Sequence, residues 1–161
     1  MAHLKDRIAV VSAYTFFIIS VLMNFYPSLF IQTLGGILFM ITIFLCMILK
    51  YVVKEDFDKN HLAYLLKTIW VFSFFTIAGV VLLFIFGKHQ TLTQISEEYL
   101  NQGFVPTNEE LFNILYDYSI ENIMPLFIIF MPIAIYLLYR LSKGIYLLLQ
   151  NESPENLKNW F

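Results

Sequence analysis

Charged residues are missing from long stretches of this chain and crowded between them. Residues 8–49 contain no Asp, Glu, Lys, Arg or His. At about 1.5 Å per residue that run makes roughly 60 Å of helix, twice the hydrocarbon thickness of a bilayer. It must therefore fold back on itself. The 24–28 segment is the natural place, because Pro27 has no amide hydrogen and pushes Tyr26 out of the helical region. The pattern predicts a first span over 8–24 and a second over 29–49, and further uncharged runs predict a third over 68–87 and a fourth over 122–139. Each is long enough to cross.

The fold class that follows is an all-α integral membrane protein, with four transmembrane helices in a single four-helix membrane domain over residues 1–161. Composition agrees: 59 % of residues are hydrophobic and 14 % charged, against roughly 25 % charged in a soluble domain. A cleavable signal peptide would also pair a basic segment with an apolar run. Here a second span follows the first at once, with no convincing small-residue cleavage site, so the first helix is expected to remain.

Loop 88–121 is the one sizeable piece between spans, too short for a core of its own. Leu92, Ile95 and Tyr99 recur at helical spacing before Gly103, and Thr107 and Glu110 have the spacing of a capping box. A short outer amphipathic helical segment between helices 3 and 4 is predicted. Its second part carries Leu111, Leu115 and Tyr118 on one face and Glu109, Asn113, Asp117 and Glu121 on another. Glu109, Asp117 and Glu121 form an outer acidic face, read either as a partner or cation contact or as a solvated surface. Carboxylates one turn apart do not by themselves converge on a calcium ion. In the fourth span Pro132 is expected to kink the helix.

Charge then orients the chain. Lys5, Arg7, Lys50, Lys54, Lys59, Lys67, Arg140, Lys143 and Lys158 fall on one side of the predicted spans, and Lys88 alone on the other. Basic residues mark the cytoplasmic side, so both termini are expected in the cytoplasm. Six acidic residues on each side leave net charges of +3 inside and −5 outside.

Little in the sequence points to catalysis. None of the spans holds a charged side chain or a histidine, which disfavours a proton relay or a charged-substrate path through the bundle centre. Ser12, Ser20, Thr42, Ser73 and Thr76 read as helix-packing hydrogen bonders. His3, His61 and His89 lie in three different flanking segments, and His89 is on the opposite side from the other two. Cys46, the single cysteine, can form no intrachain disulfide and reads as a small buried apolar residue. No nucleophile, zinc or phosphate-loop motif is present. No enzymatic activity, cofactor, metal or nucleic-acid partner is expected.

The most suggestive constellation is basic and cytoplasmic. His61, Tyr64 and Thr68 share one face of the helix entering the third span. Lys67, Arg140 and Lys143 meet the membrane at the same level. Together His61, Lys67, Arg140 and Lys143 could frame a contact for an anionic lipid headgroup or an acidic partner segment. The alternative is plain anchoring by snorkelling side chains.

These residues also carry a resemblance. His61, Tyr64, Lys67, Thr68 and Trp70, followed by Tyr139, Arg140, Lys143, Gly144 and Pro154, resemble a family of small bacterial inner-membrane proteins grouped with Tic20-like domains of unknown function. The chain departs from the family pattern at Lys67, where Arg is usual, at Ile69, where Phe is usual, and in its longer outer loop. The resemblance covers the second half of the chain. It implies a bacterial inner-membrane four-helix protein and, by analogy, a component of a translocation apparatus. The expected role is a non-enzymatic accessory or assembly subunit of a larger inner-membrane complex, with the lipid bilayer, anionic lipids and other membrane subunits as partners. The alternative is a translocation or transport protein acting as an oligomer.

The charge asymmetry predicts a labelling pattern. In a Cys46→Ser background, cysteines at Glu55 and Asn156 should resist an impermeant thiol reagent in intact cells, and one at Asn101 should react. Labelling of the Glu55 position from outside would reverse the orientation.

Overall fold

The structure is a computed structural model, and the residues described are 2–26, 28–90, 92, 93, 96, 97 and 107–154. Among them are five helices: α1 (Ala2–Asn24), α2 (Leu29–Val52), α3 (Asp56–Phe86), α4 (Asn108–Glu121) and α5 (Ile123–Gln150). α1, α2, α3 and α5 are long and apolar enough to cross a membrane. The helical pattern expected through Ile95, Tyr99 and Gly103 falls on positions outside the described residues.

The helices overrun the uncharged stretches that announced them. α3 begins at Asp56, and α5 runs on to Gln150, where Asn151 turns it off in the left-handed region at φ 60°. The connection between α2 and α3 is only residues 53–55, shorter than the stretch between the second and third predicted spans, 50–67. The reason is that a helix outside lipid needs no apolar side chains. Asp56 and Asp58 in the first turn of α3 face the positive end of its dipole, and Lys59 pairs with Asp56 at 3.5 Å. α5 continues as α-helix through Pro132. The capping box forms as its spacing predicts: the Glu110 amide donates to Thr107 Oγ1 at 3.3 Å, and the Thr107 amide donates to the Glu110 carboxylate at 2.7 Å.

α1 packs mainly on α2 and α3 mainly on α5, and the two pairs join through α2–α3 and α1–α3. The core is concentrated toward the end where α1 and α3 begin and α2 and α5 finish. Val10, Ala13, Tyr14 and Phe17 of α1 meet Cys46 of α2, Leu62, Leu65 and Ile69 of α3, and Leu137 and Leu148 of α5. Phe17, Phe39 and Phe72 form an aromatic triangle with centroids 5.8–6.5 Å apart. The outward faces are apolar as well: Phe30 is 73 % exposed, Phe74 and Ile128 68 % and Leu138 65 %. Helices apolar on every side do not suit an aqueous surface.

At the opposite end one side chain ties α3 to α5. Asn122, fully buried at the joint between α4 and α5, accepts from the Lys88 amide at 2.6 Å through Oδ1. Its Nδ2 donates to the carbonyls of Lys88 and Tyr118, each at 3.0 Å. It thus ties the chain leaving α3 to the start of α5, and satisfies the Lys88 amide and carbonyl, which lie outside both helices. Stacking of the Tyr118 ring on His89, and of His89 on Phe84, closes the same corner.

Asn122→Ala should therefore lower stability by about 1–2 kcal/mol, since it removes the partner of the part-buried Lys88 amide and carbonyl and empties a fully buried position. Thermal unfolding in mild detergent measures this. Asn122→Asp should recover part of the loss through its retained acceptor, and an unchanged midpoint for Asn122→Ala would show that the joint is held otherwise.

Candidate functional site

The sequence places His61, Tyr64 and Thr68 on one helix face, and that face is buried against α1 and α5. Burial there needs close backbone approach, which Gly144 of α5 supplies. A Cβ at Gly144 would lie 2.6 Å from the Tyr14 hydroxyl and 3.0 Å from the Tyr64 ring. No side chain fits, so two tyrosines from two different helices reach the α5 backbone.

Arg140, one turn before Gly144, is drawn into the same junction and is only 7 % exposed. Its Nε donates to Thr68 Oγ1 at 3.3 Å, and the Thr68 hydroxyl donates to the Tyr64 carbonyl at 2.9 Å. The Tyr64 hydroxyl returns to α5, donating to the Arg140 carbonyl at 3.0 Å. The guanidinium also lies 3.8 Å from the centroid of the Tyr64 ring, a contact worth up to about 2 kcal/mol when desolvated. α3 and α5 are thus joined by a closed hydrogen-bonded circuit.

A second ring of contacts surrounds it. The Arg7 guanidinium donates to the Leu148 carbonyl and lies 5.1 Å from the Phe57 ring centroid. Asn60 donates to Ser153 Oγ at 2.9 Å, and His61 Nε2 lies 3.0 Å from the Glu152 carbonyl. A carbonyl only accepts, so Nε2 carries the proton and Nδ1 is the bare acceptor. His61 precedes the uncharged part of α3 by about two turns. Burial lowers its pKa from the ordinary histidine value; the Glu152 carbonyl opposes that shift and the charge of Arg7 adds to it. The imidazole is therefore neutral at pH 7. Neither His61 Nδ1 nor the Tyr14 hydroxyl has a hydrogen-bond partner among the described residues.

The four residues proposed for a basic rim divide in two. His61 and Arg140 are interior and structurally engaged, whereas Lys143 is exposed, with Nζ 5.8 Å from the Tyr139 ring, and Lys67 is half-buried. On α4, Glu109 and Asp117 are exposed and Glu121 is half-buried. No group of three or more His, Cys, Asp or Glu placed to hold a metal occurs among the described residues. Sequence reasoning missed Tyr14, Arg7 and Asn60, because nothing in a single chain pairs position 14 with 144 or 7 with 148. The one available signal was Gly144 beside a basic residue on an otherwise bulky apolar helix. Comparison with protein-family models, curated proteins and solved structures finds no match to this chain.

The two tyrosines give opposite expectations. Tyr64→Phe removes a hydroxyl bonded to a carbonyl and should cost about 1 kcal/mol, whereas Tyr14→Phe removes an unmatched buried hydroxyl and should be neutral or stabilising by a similar amount. Thermal unfolding of the two variants side by side is the measurement. A larger loss for Tyr14→Phe than for Tyr64→Phe would contradict this arrangement of hydrogen bonds.

Proposed function

We propose that this chain is a multi-pass protein of the bacterial inner membrane, both termini cytoplasmic, serving as a non-enzymatic accessory or assembly subunit of a larger membrane complex. The observation that carries the reading is the apolar outward surface of α2, α3 and α5, including Phe30, Phe74, Ile128 and Leu138. A lipid-facing bundle keeps such a surface, and neighbouring subunits can pack on it. Its polar residues support the same view. Arg140, Thr68, Tyr64 and His61 are spent on holding helices together, which is the use expected of a scaffold. The resemblance to Tic20-like proteins points to an assembly in that membrane.

Within this reading Lys67 and Lys143 are the basic surface that meets anionic headgroups or an acidic partner segment, with Arg140 fixing the helix that carries Lys143. Glu109, Asp117 and Glu121 belong to a face on the opposite side of the bilayer, open to a partner domain.

A subunit travels with its complex. Purification in a gentle detergent should recover the chain with defined partner proteins in fixed ratio, and liposomes holding the chain alone should neither conduct ions nor accumulate solute. Recovery of the isolated chain only, together with flux through such liposomes, would replace this reading with that of an oligomeric transporter.

A further inference from the structure

The segment that follows α5 folds back on the start of α3. From Asn151, in the left-handed region, it brings Ser153 to accept from Asn60 and the Glu152 carbonyl to accept from His61, and it buries Pro154. We propose that this segment is a proton-operated latch, closed while the His61 imidazole is neutral and released when the ring takes up a proton. The inference goes beyond the accessory reading above and holds whichever complex the chain serves.

The geometry makes the imidazole the sensitive part. His61 is fully buried, and its Nε2–H is used on the Glu152 carbonyl in either charge state. A proton must therefore go to Nδ1, which has no hydrogen-bond partner among the described residues. The charged ring would then carry a buried N–H with no acceptor.

The surroundings offer little compensation. From α1 come Arg7, whose charge opposes a second one, and Tyr14, whose ring centroid is 6.3 Å away and whose hydroxyl is turned to Gly144. α2 brings the neutral thiol of Cys46 into the same core, and α5 brings Arg140, one turn before Gly144. α3 itself supplies the Phe57 ring at 4.7 Å and, one turn before His61, the buried carboxylate of Asp58, which is already engaged. The Glu152 side chain is exposed. Among the elements that cover the ring, the segment moves most easily: α1, α3 and α5 meet at Gly144, whereas 151–154 lies outside any helix and has two side-chain bonds to α3.

The sign follows from linkage. Burial holds His61 below the ordinary histidine range, and Arg7 adds to that against the pull of the Glu152 carbonyl. Once the segment lifts and water reaches the ring, it titrates near the ordinary value of about 6.5. The released form therefore takes the proton first. Docking is complete above that pH and weakens as pH falls through it, by up to about tenfold between roughly pH 7.5 and 5.5.

The test places a spin label at Glu152→Cys in the full-length Cys46→Ser protein in nanodiscs. Adding Ser153→Ala removes the second bond to α3 and brings both states into view. The ratio of mobile to immobile label should then rise by up to about tenfold from pH 7.5 to 5.5. His61→Gln keeps a donor for the Glu152 carbonyl but does not titrate, and should abolish the rise; His3→Gln and His89→Gln should preserve it. A ratio indifferent to pH in the Ser153→Ala protein, or an equal rise with His61→Gln, would overturn the latch. Nitrogen NMR of the wild-type imidazoles needs no variant to fold. It should find His61 as the neutral Nε2–H tautomer at about pH 5.5, where a free histidine is mostly charged. A charged His61 at that pH, as pairing with Asp58 would produce, overturns the proposal equally.

Discussion

Three helices meet where one residue has no side chain. Gly144 lets Tyr14 of α1 and Tyr64 of α3 lie against the α5 backbone, and that close approach is what brings Arg140 into reach of Thr68. Everything at this end follows from it: the hydrogen-bonded circuit, the burial of His61, and the docking of the segment after α5 through Glu152 and Ser153. A bulkier residue at 144 would separate α5 from both partners at once. Polar contacts then set the register of helices whose apolar surfaces alone would pack almost as well in several rotations.

The distribution of polar groups sharpens this picture. Where α1 and α3 begin, buried polar side chains bond from helix to helix. Elsewhere the hydroxyls of Thr15, Thr33 and Thr42 bond back to carbonyls four residues earlier in their own helices. Such back-bonding satisfies the hydroxyl but joins nothing. Polar contacts between helices are therefore uneven, dense at the Arg140 junction and found again at Asn122.

Much of the architecture was legible in the pattern of charges. Three uncharged runs, the first long enough to cross twice, announced four long apolar helices, and Thr107 with Glu110 announced the start of α4, because capping chemistry is local. Helix ends were less legible. An uncharged run marks what suits lipid, not where backbone hydrogen bonding stops, so α3 begins twelve residues before position 68. Arg140 was the hardest residue to read. In sequence it stands among basic residues flanking a span, the usual mark of a rim, but its exposure depends on what α1 and α3 place beside it. That information lies in contacts across about 70 and 130 positions of chain. Cluster members such as His61 and Thr68 could be found from helical spacing, but the division of labour between buried Arg140 and exposed Lys143 could not.

A bundle fastened firmly at one end and lightly along its length resembles tongs, with the α1–α2 and α3–α5 pairs as arms. Small rotations at the joint become larger displacements at the tips. At the far end of the α3–α5 arm the braces are Asn122 and the stacked rings of Tyr118, His89 and Phe84. The Arg140 junction would meanwhile stay nearly still. Such a shape leaves the far ends of the two arms freer to part than the end that Gly144 and Arg140 hold.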